Sequence, residues 1–577
     1  MFRKIVLWII LGCFPILLWA KTSIHYEITG INGAPLQNVM TNLTATEKNL
    51  PKTDNIISEE NVKDFFNEGD TLIRSALQPY GYFYPTIHSR IEQDESKWTF
   101  NYQINPGRSV QISSLEVQVI GAGENTAPFK ALLADFPLKM GQRFTVANYN
   151  AAKQKLFFIA DNNGYLDAQL QIHKVNVNPE KNTASIRLIF NTGERYYYGA
   201  IEFSPTPLSD SFLRRYLPFH TGEPMSSAKT LQLQQNLAAS GFFQEAVVQP
   251  KMSQAKNHIV PIYVNLKPVK KMRHIFGLGW GTDTGFRGQI GWQWRLINQH
   301  GHSLEADYSL SQIGNAVGLT YYIPGGDPVH EQYTINANSV YYKTAAGSSR
   351  FQNYGSSFIS TYTEWQTTIN LSYQAETDII PNQGTLNANL IIPSITWSRL
   401  VTDNILQPTY GSHITLNVRG ADEKMLSTTS FAQTHLAMRF IHSLSYRNRL
   451  FSRMDLGATS ISNFSTLPLS LTFTAGGAQS VRGYGYQTLG PGPYLFNATI
   501  EYQFRVYDEW FATAFHDTGN AFNQLNGPQL KQSAGIGVLW QSPIGSMELS
   551  VANPMNDPSQ TRFWSGVSVD FAMGSLL

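Results

Sequence analysis

Few side chains in this 577-residue chain are placed to make or break bonds. The 13 histidines are scattered, and His300 and His302, which flank Gly301 in a turn, read as a solvated pair and not as metal ligands. The one cysteine, Cys13, lies in an N-terminal apolar run. If that run is cleaved as a secretory signal, thiol, disulfide and thiolate–zinc chemistry go with it. No HExxH, GxSxG or P-loop pattern occurs, and the Gly476-Gly477 pair lacks a following lysine. These observations point away from an enzyme, from a cofactor and from a metal site. Among the charged residues, Arg482 sits in Ser480-Val481-Arg482-Gly483-Tyr484, and two acids follow it, Glu501 and Asp517, in strand-like stretches. The period-2 pattern points both acids inward, with Ile500 and Tyr502 facing outward beside Glu501, and Phe515 read as outward beside Asp517.

The elements that must hold these residues are strands. From about Phe276 to Phe571 the chain repeats short alternating stretches such as Asn497–Arg505 and Met547–Ala552, broken by Gly, Asn, Asp and Pro. Only helices and closed barrels satisfy every backbone group inside lipid. About sixteen such segments, an even number, predict a transmembrane antiparallel β-barrel of the bacterial outer membrane. Composition agrees: charged residues are only 15% and aromatic residues 12%, against roughly a quarter charged in soluble domains. A net charge of +2 gives no electrostatic case for nucleic acid. Residues 1–20 read as a signal peptide, with Arg3 and Lys4 ahead of the apolar Ile5–Leu18 and a small Ala20.

The first barrel strand is read as Ile275–Asp283, in which Gly277, Gly279 and Gly281 alternate with apolar residues. Glycine weakens a strand. In a closed barrel this strand pairs with the last, about Gly566 to Met573, whose outward positions are Val567, Val569, Phe571 and Met573. Two readings stand: the seam is a lateral gate, or the glycines leave room inside the barrel.

Residues 22–271 mix helix and strand, and they repeat. A helix ending in glycine and aromatics recurs as Leu77–Phe83, Ile159–Leu166 and Leu237–Phe243. Its Gly81, Gly164 and Gly241 are each placed to end the helix in a left-handed turn. Each unit reads strand, helix, helix, strand, strand, with boundaries at 22–105, 106–192 and 193–271, and the barrel takes 272–577.

The repeat resembles a POTRA domain, and three of them ahead of a barrel resemble the TamA family of the BamA/TamA outer-membrane insertase superfamily. Four barrel segments carry the resemblance in order. Gln407–Gly411 is similar to the turn before a central strand. Phe473–Gly477 with Ser480–Tyr484 is similar to the long inward loop. Phe515–Phe522 is similar to a later strand end, and Gly535–Gly545 to the hairpin near the C-terminus. The terminal Gly574-Ser575-Leu576-Leu577 departs from the family's acidic ending.

The resemblance implies that Val481, Arg482, Gly483 and Tyr484 form the tip of a loop folded into the lumen, with Glu501 and Asp517 as partners. That contact is either a latch that sets barrel shape or a static salt bridge. It also implies an outer-membrane protein with periplasmic N-terminal domains that helps insert outer-membrane protein clients, autotransporters in particular. The implied partner is a TamB-like inner-membrane-anchored protein. The alternative is a two-partner-type polypeptide secretion pore. That family carries a plug helix, for which a strand beginning at Thr22 leaves no room. A passive porin does not explain the repeats.

Overall fold

The computed structural model describes residues 23–53, 56–94, 97–178, 180–282, 284–543, 545–556 and, by backbone alone, 568–574. The signal-like segment, Asp283 and Val567 lie outside them. The chain divides into two compact units. One comprises Met1–Ile201, Phe219–Thr230 and Pro250–Ile262, and the other comprises Glu202–Pro218, Leu231–Gln249 and Tyr263–Leu577.

The first repeat runs β1 (Ser23–Thr29), α1 (Gly33–Lys48), a small β2 (Lys52–Thr53) and β3 (Ile56–Ile57) hairpin, α2 (Glu59–Leu77), β4 (Thr86–Asp94) and β5 (Lys97–Asn105). Its sheet order is β1–β5–β4, with β1 parallel to the central β5 and β4 antiparallel. The last strand is central, and it alone of the three carries buried side chains: Trp98, Phe100, Tyr102 and Ile104 all face the helices. Ser58 caps α2 by accepting the Asn61 amide at 3.2 Å. The second repeat has the same plan: β6 (Gln111–Ile120), α3 (Ala127–Ala134), α4 (Val146–Asn162), β7 (Gln169–Asn178) and β8 (Thr183–Asn191), in the order β6–β8–β7. The third has β9 (Tyr197–Phe203), α5 (Asp210–Leu213), α6 (Ser227–Ala239), β10 (Phe243–Pro250) and β11 (Ile259–Pro268), ordered β10–β11–β9. Gly81, Gly164 and Gly241 follow their helices at φ +83°, +86° and +76°. That left-handed conformation is the reason glycine recurs there.

The first repeat holds a testable strain. The Tyr102 hydroxyl is buried and has no hydrogen-bond partner among the described residues, and burial pushes its phenol well above the usual range. A Cβ on Gly69 of α2 would strike that same hydroxyl. Tyr102→Phe is expected to stabilise this domain by about 1 kcal/mol, since it removes an orphaned polar group. Gly69→Ala is expected to destabilise it, and Gly69→Ala with Tyr102→Phe to recover most of the loss. Proteolysis of the full chain across a urea series checks the ranking.

The second unit is dominated by one antiparallel sheet. It opens with β12 (Met272–Gly281), β13 (Gly285–Trp294), β14 (Ser303–Ser311), β15 (Gly314–Pro324) and β16 (Glu331–Thr344). It continues with β17 (Gly347–Tyr362), β18 (Trp365–Ile380), β19 (Gly384–Thr402), β20 (Tyr410–Ala421), β21 (Phe431–Ser443) and β22 (Asn448–Ile461). A loop carrying the short pair β23 (Phe473–Ala475) and β24 (Leu489–Gly492) intervenes. The sheet then resumes with β25 (Tyr494–Tyr507), β26 (Trp510–Phe522), β27 (Lys531–Ser542), β28 (Gly545–Pro554) and β29 (Ser568–Gly574). Among the described residues it has sixteen strands, each hydrogen-bonded to the next in chain order, with β22 joined directly to β25.

Burial in this sheet is inverted relative to a water-soluble protein. Phe276, Leu278, Phe286, Ile335, Leu371, Ile500 and Ile536 are exposed, while Gln374, Glu376, Gln433, Arg449, Glu501, Gln503 and Asp517 are buried. An apolar outside and a polar inside suit a barrel in lipid. The first and last strands approach within 8 Å by Cα, so the sheet curls back on itself. The hydrogen-bond ladder runs from β12 to β29, and among the described residues no ladder joins these two.

Candidate functional site

The loop between β22 and β25 folds to bury its tip. Gly476 and Gly477 stand at φ +101° and +102°, and Gly483 at +92°. Two backbone bonds close the tip, from the Ser480 amide to Gly477 at 3.0 Å and from the Gly477 amide to Tyr484 at 2.9 Å. A Cβ on Gly483 would stand 3.2 Å from Pro554 and 3.4 Å from Ala552 of β28, so the tip lies against that strand. Val481 is fully buried, and the Tyr484 hydroxyl donates to Asn556 at 3.4 Å.

This fold aims Arg482 into a ring of acids. Its Nε and Nη2 donate to the two oxygens of Asp517 at 2.8 and 3.0 Å, a bidentate fork. Its backbone amide adds a third bond to Asp517 at 3.1 Å. Nη1 donates to Glu501 at 2.7 Å and to Glu548 at 2.8 Å. The carboxylates stand on β25, β26 and β28, so one guanidinium ties three strands together. The structure thus brings together Arg482, Glu501 and Asp517, the three charged residues singled out from sequence.

Sequence reasoning missed Glu548. It stands in the alternating stretch Met547–Ala552, out of step with the exposed Leu549 and Val551, which is the signal that could have found it. Arg453 was missed too: its Nη2 donates to the Ser480 carbonyl at 2.9 Å and to Thr499 at 3.0 Å, holding the tip's backbone.

Phe515 must be corrected. The sequence reading places it outward, but it is buried, and the Arg482 guanidinium carbon lies 3.3 Å from its ring centroid. Positions 515 and 517 share parity, so a strand that turns Asp517 inward turns Phe515 inward as well. The outward residues of β26 are Trp510, Ala512, Ala514 and His516. The ring fits because its cross-strand partner is Gly535, where a Cβ would strike it. Gly535→Val is therefore expected to crowd both the ring and the Val551 carbonyl of β28, at a cost of about 1–3 kcal/mol. It should lower the temperature at which the detergent-extracted barrel shifts on a gel, and Phe515→Leu in the same chain should recover part of the fall.

A brace surrounds this cluster. Gln503 Nε2 donates to Glu501 at 2.6 Å, and Arg449 Nε donates to Gln503 at 2.6 Å. Arg449 Nη1 donates to the Pro408 carbonyl at 2.9 Å, which ties in the Gln407–Gly411 turn.

At the seam, β12 begins earlier than expected, at Met272, and ends at Gly281. Phe276 and Leu278 point outward and are 76% and 92% exposed, while Gly277, Gly279 and Gly281 pair with Gln289, Arg287 and Gly285. The atoms nearest a Cβ on Gly277 and Gly279 are those of Gln289, at 3.5 Å, and Arg287, at 3.1 Å, and they belong to β13 and not to the inward loop. The reading that these glycines make room for the loop therefore finds no contact to support it at these two positions. On the other side of the seam, backbone register sets Val569 opposite Val551 and Phe571 opposite Leu549. Met573 stands opposite Met547, and Val567 lies outside the described residues.

His302 is not merely solvated: its Nδ1 lies 2.8 Å from the Tyr321 hydroxyl, and Gly301 packs against Phe212 and Phe242. The histidine pair thus belongs to packing at the base of β14.

Comparison with known proteins places these features. Residues 297–574 match the Omp85 superfamily domain, residues 25–106 match POTRA domain TamA domain 1, and residues 196–268 match a POTRA domain described as a surface antigen variable number repeat. The fold is similar to that of BamA from Haemophilus ducreyi lacking POTRA domains 1–3. That likeness has a TM-score of 0.63 at 20% identity and covers 80% of this chain and 98% of that one. A weaker likeness to CdiB from Acinetobacter baumannii has a TM-score of 0.47 at 14% identity, covering 94% and 99%.

Proposed function

The chain belongs to the Omp85 superfamily of outer-membrane insertases and translocases, with its POTRA domains in the periplasm, and from that premise we propose that it is a TamA-like insertase that opens between β12 and β29. The observation that carries the reading is the seam, where the first and last strands of the sheet come within 8 Å of each other by Cα. Open strand edges in lipid leave N–H and C=O groups unmet, and each costs several kcal/mol. A client strand that adds to an edge meets those groups. The work is then an exchange of strand pairing, with no bond made or broken.

Gly277 and Gly279 weaken the β12 side, since each contributes backbone but no side chain to the ladder. The Arg482 cluster ties β25, β26 and β28 and so keeps the opposite side of the seam in shape while the edge exchanges. Outer-membrane proteins, autotransporters among them, are the proposed clients. A TamB-like partner is proposed to dock on a POTRA sheet edge, as strand addition allows. The matching TamA-type POTRA domain at residues 25–106 supports that branch of the superfamily.

The test is reconstitution in liposomes with an unfolded autotransporter barrel as client. Folded client should accumulate at least tenfold faster than in empty vesicles. No acceleration, together with a large and steadily open conductance, would replace the insertase with a secretion pore.

A further inference from the structure

The inward loop has a second anchor, on the side of the barrel away from Arg482. Its stem is the short helical turn Leu469–Leu471. The Leu469 amide donates to Asp378 Oδ2 at 2.8 Å, and the Ser470 amide donates to Glu376 Oε1 at 3.0 Å. The Ser470 hydroxyl also bonds Glu376. Both acids stand on β18 and are buried, Asp378 wholly so. Glu376 is aimed by Ser349 at 2.8 Å and by Gln374 at 2.6 Å. From β21, Gln433 Nε2 donates to the Leu471 carbonyl at 2.8 Å, and Arg419 of β20 holds Gln433 at 2.7 Å. Leu467 and Leu471 pack into a dry cluster with Leu390, Ile392 and Phe431.

These contacts are of two kinds, and both resist movement. A backbone amide freed from a buried carboxyl oxygen is left unpaired, which costs the desolvation of both groups. Freeing the stem would also strip water-excluded leucines from their cluster. The stem therefore belongs to strands β18 to β21, while the tip belongs to β25, β26 and β28.

We propose that Glu376 and Asp378 are positioning residues that fix the stem of the inward loop, so that loss of the Arg482 contacts frees the tip alone and not the loop as a whole. The inference rests on the insertase reading for the loop's role, but the anchoring is measurable without it.

Hydrogen exchange on the full-length, detergent-extracted protein, read for peptides covering 466–472 and 478–486, tests this directly. Arg482→Ala should speed exchange of 478–486 at least tenfold and leave 466–472 within twofold of the parent. Glu376→Gln with Asp378→Asn should speed 466–472 at least tenfold. Ser470→Ala removes the hydroxyl bond to Glu376 from the loop side and leaves the backbone of the turn unaltered. It should deprotect 466–472 in the same way, and it serves if the double variant does not assemble. Equal deprotection of both peptides by Arg482→Ala would overturn the proposal, as would full protection of 466–472 in the carboxylate and Ser470 variants. A failed client assay with this exchange pattern intact would count against the insertase reading and leave the anchor standing.

Discussion

Arg482→Ala should yield a barrel that still assembles but has lost at least tenfold of its client insertion. The loss has a definite electrostatic origin. The arginine makes bonds to Asp517, Glu501 and Glu548, whose side chains are 0%, 2% and 16% exposed. Removing it leaves three carboxylates facing one another in a site that water barely reaches. Breaking a buried pair in this way costs roughly 3–5 kcal/mol, enough to lower the gel-shift temperature without unfolding a sixteen-stranded sheet. Arg482→Lys keeps the charge but supplies one point donor where the geometry uses three side-chain nitrogens. It should recover little activity.

A second substitution separates the two roles of the cluster. Arg482→Ala with Asp517→Asn removes one of the stranded charges. Thermal resistance should rise back towards the parent, while insertion should stay low, because the tip is still untied from β26. If insertion returned together with stability, the arginine would be a static salt bridge and not a latch.

Much of this site was legible in the sequence because a strand has only two sides. Counting by twos placed Glu501 and Asp517 inside, and the fold agrees. The same count, applied without exception, would have placed Phe515 inside beside Asp517 and brought Glu548 in from Met547–Ala552. The Phe515 miss came from judging a residue by its type: phenylalanine looks like a lipid-facing residue until a guanidinium needs a ring to lie on. The glycines that end the repeat helices were readable for a similar reason, since a left-handed turn tolerates little else.

The stem anchor was not legible. Asp378 and the Leu469 amide are 91 positions apart, and no periodicity links an acid in one strand to a backbone donor in a distant loop. The β2–β3 hairpin of the first repeat escaped notice because two-residue strands carry no pattern. The state of the seam also lay beyond the sequence, which names the two terminal strands but not whether their edges are bonded.

That seam gives the second large effect. A cysteine at Gly279 or a neighbouring position, paired with one near Val569, can be joined by oxidation where the Cα atoms come within about 7 Å, or by a short bis-maleimide elsewhere. Gly279 accepts the change because its nearest neighbour is the flexible Arg287 side chain. The only native cysteine, Cys13, lies in the signal-like segment. The measurement is client insertion by the locked and the reduced protein, with heat-dependent gel mobility to establish that the locked barrel is folded. Insertion should fall at least tenfold in the locked form and return on reduction of the disulfide. A folded, fully cross-linked barrel that inserts client at the parent rate would contradict lateral opening between β12 and β29.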